Sequence, residues 1–180
     1  MALKLPRTIR LDASDGFVYA PAAEPGEWAV TGSFRFVGVA PGELSGKALQ
    51  AFRAGFLGVE SFGWSTLVVV SEAAADEYGQ VVGRLAEQLV RHCGAPDLEV
   101  ARSAAEEEVA FAASLCDHPP DTLIALHRTI EADGVREAFR TLHRRADQLA
   151  PRGVFRIVED DEEDAAEEVS LVDLLKAGRR

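Results

Sequence analysis

Apolar positions along this 180-residue chain change period several times, and each change marks an element. Thr8, Ile9 and Leu11 lead into the turn-forming run Asp12-Ala13-Ser14-Asp15-Gly16, and Phe17, Val18 and Tyr19 follow, which predicts a hairpin. Trp28, Val30, Gly32, Phe34 and Phe36 alternate with polar or small residues. That period of two predicts a half-buried strand, with Gly32 as a bulge or a point of close approach. Its aromatic residues are expected in one core with Phe52, Leu85 and Leu89. Residues 45–57 place Ala48, Leu49, Phe52 and Phe56 at helical spacing. Residues 64–71 form a β-branched run suited to a central strand.

A second helix is predicted from the stripe Tyr78, Val81, Val82, Leu85, Leu89 and Cys93, capped by Ser71 or Asp76. It stops at Gly94, with Pro96 just beyond. Ser103 and Glu106 have the spacing of a capping box, which opens a third helix there. This helix buries Ala105, Val109, Ala112 and Cys116 and ends before Pro119-Pro120. Residues 122–130 read as a strand, and Asp133-Gly134 is a hairpin turn. The return limb fits a strand to about Leu142 followed by a short helix to Leu149, although its apolar positions also fit one continuous helix. Residues 153–158 supply a last strand.

These elements predict an α+β fold: an antiparallel or mixed β-sheet with about three helices packed mainly on one face. Residues 1–158 are expected to form a single domain. Residues 159–168 read as an acidic linker, and 169–180 as a short amphipathic helix bearing Leu171, Leu174 and Leu175. A helix that short is unstable alone in water, so those leucines are candidate interaction residues.

Charge sharpens this picture. The formal net charge is −11, but residues 159–168 carry eight carboxylates, leaving about −3 for the rest. No basic stripe is present to meet nucleic-acid phosphates. No apolar run is long enough for a membrane span. Two cysteines are too few for a disulfide framework, and Met1-Ala2-Leu3-Lys4 has no secretory character. A cytoplasmic protein with free thiols is expected.

Candidate chemistry centres on Cys116-Asp117-His118, His127, and the pair His92-Cys93. Cys116, His118, Cys93 and His92 could be assembled into a zinc site, but adjacent helical residues diverge by about 100° and chelate poorly together. Cys116 with His127 and Asp117 would be a thiol-nucleophile arrangement. A helix C-terminus raises a thiol pKa, which opposes it. Gly55, Gly58, Ser61, Gly63, Ser65 and Thr66 resemble a phosphate loop, yet the order is helix–loop–strand rather than strand–loop–helix. A tight corner accounts for those glycines. Glu106-Glu107-Glu108 sits on the third helix with two of its carboxylates in the first turn, where they suit the dipole. Glu107 or Glu108 facing a cleft shared with His127 is the alternative. The expectation is no catalytic residue, no cofactor and no metal.

The segments RTIRLDASDGFVY, EPGEWAVTGSF, FRAGFLGVESFGWSTLVVVSEA and EEEVAFAASLCDHPPDTLIALHRT resemble a small uncharacterised bacterial family, a domain of unknown function. The resemblance covers most of residues 7–140. It implies an accessory role, because such proteins are encoded beside molybdenum-dependent formate dehydrogenases and their assembly factors, and it assigns no catalytic residue. The expected function is a non-catalytic accessory or protein-interaction factor linked to assembly of a molybdenum/iron–sulfur oxidoreductase, with another protein or a second copy of itself as partner. The alternative is a small-molecule or metal-binding domain, or an enzyme, using Cys116, His118 and His127.

Overall fold

The computed structural model describes residues 2–40 and 42–144, together with the backbone of 155–159. The chain begins with β1 (Lys4–Ile9), followed by a 3₁₀ turn at Ala13–Phe17. Next come β2 (Ala29–Val30), a second 3₁₀ turn at Ser33–Phe36, α1 (Gly46–Ala54), β3 (Phe56–Gly58) and β4 (Trp64–Ser65). The remainder comprises β5 (Leu67–Glu72), α2 (Ala75–Cys93), α3 (Leu98–Ser114), β6 (Leu123–Glu131), β7 (Gly134–Arg144) and β8 (Phe155–Glu159). A five-stranded sheet runs β1-β5-β6-β7-β8, and a three-stranded sheet runs β2-β3-β4. All these pairings are antiparallel. The α+β class is therefore as the periodicity predicts.

The two helices α2 and α3 pack against each other, α1 lies on β6, and α3 reaches β1 and β2. The larger core joins Val81, Val82, Leu85 and Leu89 of α2 with Ala101, Ala105, Val109 and Ala112 of α3. The small alanines let these helices approach closely, and Phe36 and Phe52 complete the cluster. A second cluster joins Val68 and Val70 of β5 to Ile124 and Leu126 of β6, with Phe56 and Cys116 above them. Strand alternation accounts for this face: Ile124, Leu126 and Arg128 are buried, whereas His127 and Thr129 between and beyond them are exposed.

Several expected boundaries move. No hairpin forms over residues 8–19. β1 pairs instead with β5, and Asp12 caps the 3₁₀ turn by accepting from the Ser14 N–H. The strand expected through Phe36 shortens to β2, because Gly32 turns the chain at φ 77°. A Cβ at Gly32 would lie 2.6 Å from that of Leu57, so the expected close approach is present. Phe36 is buried in the same cluster as Phe52, Leu85 and Leu89, and Trp28 and Phe34 pack partly buried against it. Phe34 and Phe36 do so from the 3₁₀ turn, whereas Trp28 lies just before β2 and is bridged to Arg7, so the three do not share one sheet face as expected.

Gly55 ends α1 early, and Phe56 passes into β3 instead of extending the helical stripe. Neither Ser71 nor Asp76 caps α2. Ser71 remains in β5, and the Glu77 carboxylate accepts the Ala74 N–H at 2.8 Å. The expected C-terminal stop holds, since Gly94 adopts φ 72°. Cys93, placed in the apolar stripe by spacing, is exposed. α3 starts five residues before Ser103, at Leu98, where Asp97 accepts the Val100 N–H at 2.9 Å. Ser103 and Glu106 thus sit within a running helix, and Glu106–Glu108 lie beyond its first turn. The hairpin expected at Asp133-Gly134 forms one residue earlier, since Gly134 already pairs with Glu131 and the turn is Ala132-Asp133, and β7 continues through Leu142. The short helix to Leu149, the acidic linker, and the segment with Leu171, Leu174 and Leu175 lie outside the described residues.

Candidate functional site: a buried guanidinium beneath an apolar cleft

The β6–β7 hairpin sets Arg128 opposite Glu137. Both side chains point toward α1 and α3. Arg128 is fully buried, and its Nε donates to Glu137 Oε1 at 2.7 Å. Nη1 donates to the carbonyls of Gly55 (2.8 Å), Phe52 (3.1 Å) and Ala51 (3.4 Å). Nη2 donates to the carbonyl of Thr31. Ala51 and Phe52 belong to the last turn of α1; the Ala51 carbonyl also accepts the Gly55 N–H at 2.9 Å, whereas the Phe52 carbonyl is one that the helix leaves without a partner. The guanidinium therefore serves as a C-terminal cap delivered from another element, where its charge also complements the helix dipole. Its centre stands 5.6 Å from the centroid of the Phe36 ring.

Beside this cluster lies a cavity of about 520 Å³. Its walls include Phe34, Phe36, Leu44, Phe52, Ile130 and Val135, and its polar residues include Glu108 and Glu137. That volume and mixture are typical of a binding cleft. Val37, which also lines it, is 82% exposed, and Ile130 and Val135 are exposed too. Glu108 Oε2 is buried and accepts no hydrogen bond. Desolvation raises the Glu108 pKa above the ordinary glutamate value, the charge of Glu137 raises it further, and Arg128 opposes both. Desolvation also lowers the Arg128 pKa, while Glu137 holds it up.

The residues singled out by spacing are dispersed. Cys116 is buried among β5 and β6 side chains, and burial pushes its thiol up to about 12. His127 is exposed on the opposite face of β6 from Leu126 and Arg128, so the strand itself separates it from Cys116. His118 lines a second cavity, of about 650 Å³, with Asp117, Arg136 and Arg140. Its ring lies 6.2 Å from that of His143, and its carbonyl accepts from Lys4 Nζ. Cys93 meets the Arg35 guanidinium at 3.8 Å, and His92 stacks on Phe62 with centroids 5.0 Å apart. Among the described residues, no group of three or more His, Cys, Asp or Glu side chains is placed to hold a metal ion. Glu108 does face a cleft, but it shares that cleft with Glu137 rather than with His127.

The glycine-rich corner is occupied by the chain's own carboxylate. Glu27 Oε1 accepts from the Ser61 N–H at 3.2 Å and the Ser61 hydroxyl at 2.8 Å. A Cβ at Gly58 would collide with that carboxylate, and one at Gly63 would lie 2.6 Å from the Ala22 carbonyl oxygen. The glycines thus permit close backbone approach.

Arg128 and Glu137 are absent from the sequence candidates, and only the inward parity of Arg128 is legible locally. A turn at Asp133-Gly134 would pair position 128 with 139, and it is the turn at Ala132-Asp133, one residue earlier, that sets 128 opposite 137. Position 128 also shares the inward face with Ile124 and Leu126. A cation and an anion paired at an inward position mark a buried ion pair.

No curated protein and no solved structure gives a significant match to the chain. A family model, described as a family of unknown function, matches residues 1–160. The chain therefore belongs to that family, DUF6505.

Proposed function

We propose that this protein is a non-catalytic accessory factor that binds another protein through the cleft beside Arg128. The observation carrying this reading is the exposed aliphatic rim of Val37, Ile130 and Val135 over an apolar-walled cavity with a charged floor. Exposed aliphatic side chains grouped around a concavity favour a partner that removes them from water. The floor carries the carboxylates of Glu108 and Glu137, with the Arg128 guanidinium buried behind Glu137, so it complements a partner segment of positive charge. The client is a molybdenum-dependent oxidoreductase or one of its assembly factors, a choice supported by the family resemblance of the sequence.

The test is to titrate purified chain against a purified molybdenum-dependent formate dehydrogenase and its assembly factors. Calorimetry should detect a complex that Val135→Asp and Ile130→Asp each weaken at least tenfold. Both positions are exposed, so these changes leave the core intact. Equal binding by the cleft variants, or no complex with any client, would overturn the proposal.

A further inference from the structure

The cleft also specifies the kind of side chain it receives, an inference that rests on the protein-binding reading above. We infer that the partner anchors itself with a long apolar stem ending in a cation, a lysine or arginine, and that Glu108 is the specificity-determining acceptor for that cation.

Three observations converge. First, the hydrogen bonds of Arg128 go to Glu137 and to the carbonyls of Ala51, Phe52, Gly55 and Thr31, and none goes to Glu108. The internal ion pair is complete without Glu108. Second, Glu108 lines the cavity, and its Oε2 is buried without a hydrogen-bond partner. A buried acceptor left unpaired is costly, so the site favours an occupant that brings a donor. Third, the cavity that Glu108 lines is walled by hydrocarbon and aromatic side chains, those of Phe34, Phe36, Leu44, Phe52, Ile130 and Val135. Lysine and arginine carry both parts of this requirement, a methylene stem for the walls and a charged donor for the carboxylate.

Other occupants meet penalties. An anionic side chain would face Glu108 and Glu137 together. A neutral aliphatic side chain would fill the walls but leave Oε2 unpaired. The selectivity therefore comes as much from what the floor rejects as from what it attracts.

The test uses three fluorescent peptides with the sequence Leu-Val-Xaa-Val-Leu, where Xaa is lysine, norleucine or glutamate. Each is titrated by anisotropy against the full chain, Glu108→Gln and Val135→Asp. With the unaltered chain, the lysine peptide should bind at least tenfold tighter than the norleucine peptide, and the glutamate peptide weakest. Glu108→Gln should abolish the preference for lysine over norleucine. Val135→Asp should weaken both of those peptides. If lysine and norleucine peptides bind the unaltered chain equally, or if Glu108→Gln keeps the preference, the cation assignment fails while the cleft remains a binding surface. If no peptide binds, or Val135→Asp changes nothing, the cleft reading falls and takes this inference with it.

Discussion

Arg128 and Glu137 face each other across the β6–β7 hairpin with Nε and Oε1 2.7 Å apart, and this pair fastens the sheet to α1. Replacing Arg128 with Met would leave the Glu137 carboxylate and the carbonyls of Phe52, Gly55 and Thr31 without their donor. Breaking a buried ion pair on one side costs about 3–5 kcal/mol. Denaturant unfolding of Arg128→Met should show a loss of that size. Removing the charge on both sides, as in Arg128→Met with Glu137→Leu, should recover part of it. A single variant within about 1 kcal/mol of the original, the usual scale of a surface ion pair, would show that the guanidinium does not hold these elements together.

Glu108 predicts a particular pH dependence of stability. Its folded-state pKa is raised, chiefly by desolvation. The unfolded chain therefore releases this proton first as pH rises from about 4. The stability contributed by Glu108 is fully present below that point and is lost as pH climbs through the raised folded value. Glu108→Gln does not titrate. Its stability relative to the unaltered chain should improve over this window and then level off. The opposite slope in a pH series of unfolding curves would contradict the assignment.

The two thiols should differ sharply in reactivity. Cys93 is exposed, whereas Cys116 is buried with its thiol pushed up to about 12. An alkylating reagent at pH 8 should modify Cys93 in the native protein and reach Cys116 only after denaturation. Peptide mapping reads both sites. Rapid native labelling of Cys116 would reopen the thiol chemistry that spacing alone suggested.

A methyl group at Gly58 should be destabilising. It would strike the Glu27 carboxylate, which holds Ser61 through two hydrogen bonds. Overpacking of this kind costs about 1–3 kcal/mol. Shortening the obstructing side chain should absorb part of the damage, so Gly58→Ala and Glu27→Ala combined should cost less than their sum. Strict additivity in thermal unfolding would show that the contact is not what constrains position 58.

The sequence predicts much of this architecture because the longer helices and the β6–β7 hairpin carry strong local signals. The α2 stripe and the Gly94 stop specify their outcomes locally, and the Asp133-Gly134 signal locates the hairpin to within one residue of its turn at Ala132-Asp133. Trp28 to Phe36 misleads because two aromatic residues spaced by two also suit a 3₁₀ turn, and only the contact between Gly32 and Leu57 distinguishes the cases. Ser103 and Glu106 mimic a helix start because cap spacing equals one turn, whereas Asp97 makes the actual cap. The candidate site was less legible. Cysteine and histidine drew attention by their chemistry, but burial and strand parity separate Cys116 from His127. The cleft is built from Glu108 on α3, Glu137 on β7 and aromatic residues near α1, which only tertiary packing brings together.

The short turn between β6 and β7 acts as a ruler for the whole site. Glu131 lies opposite Gly134, and from there each step outward fixes which residues meet, ending at Leu123 and Leu142. A slip of one position would reverse every side chain of the moving strand relative to the helices. On β6 it would bring His127 and Thr129 against α1 and send Arg128 to the solvent, leaving the Phe52 and Gly55 carbonyls at the end of that helix without their donor. Insertion of a single residue beside Asp133 should therefore act at a distance, loosening the end of α1 and dismantling the cleft floor while leaving the composition of both strands untouched.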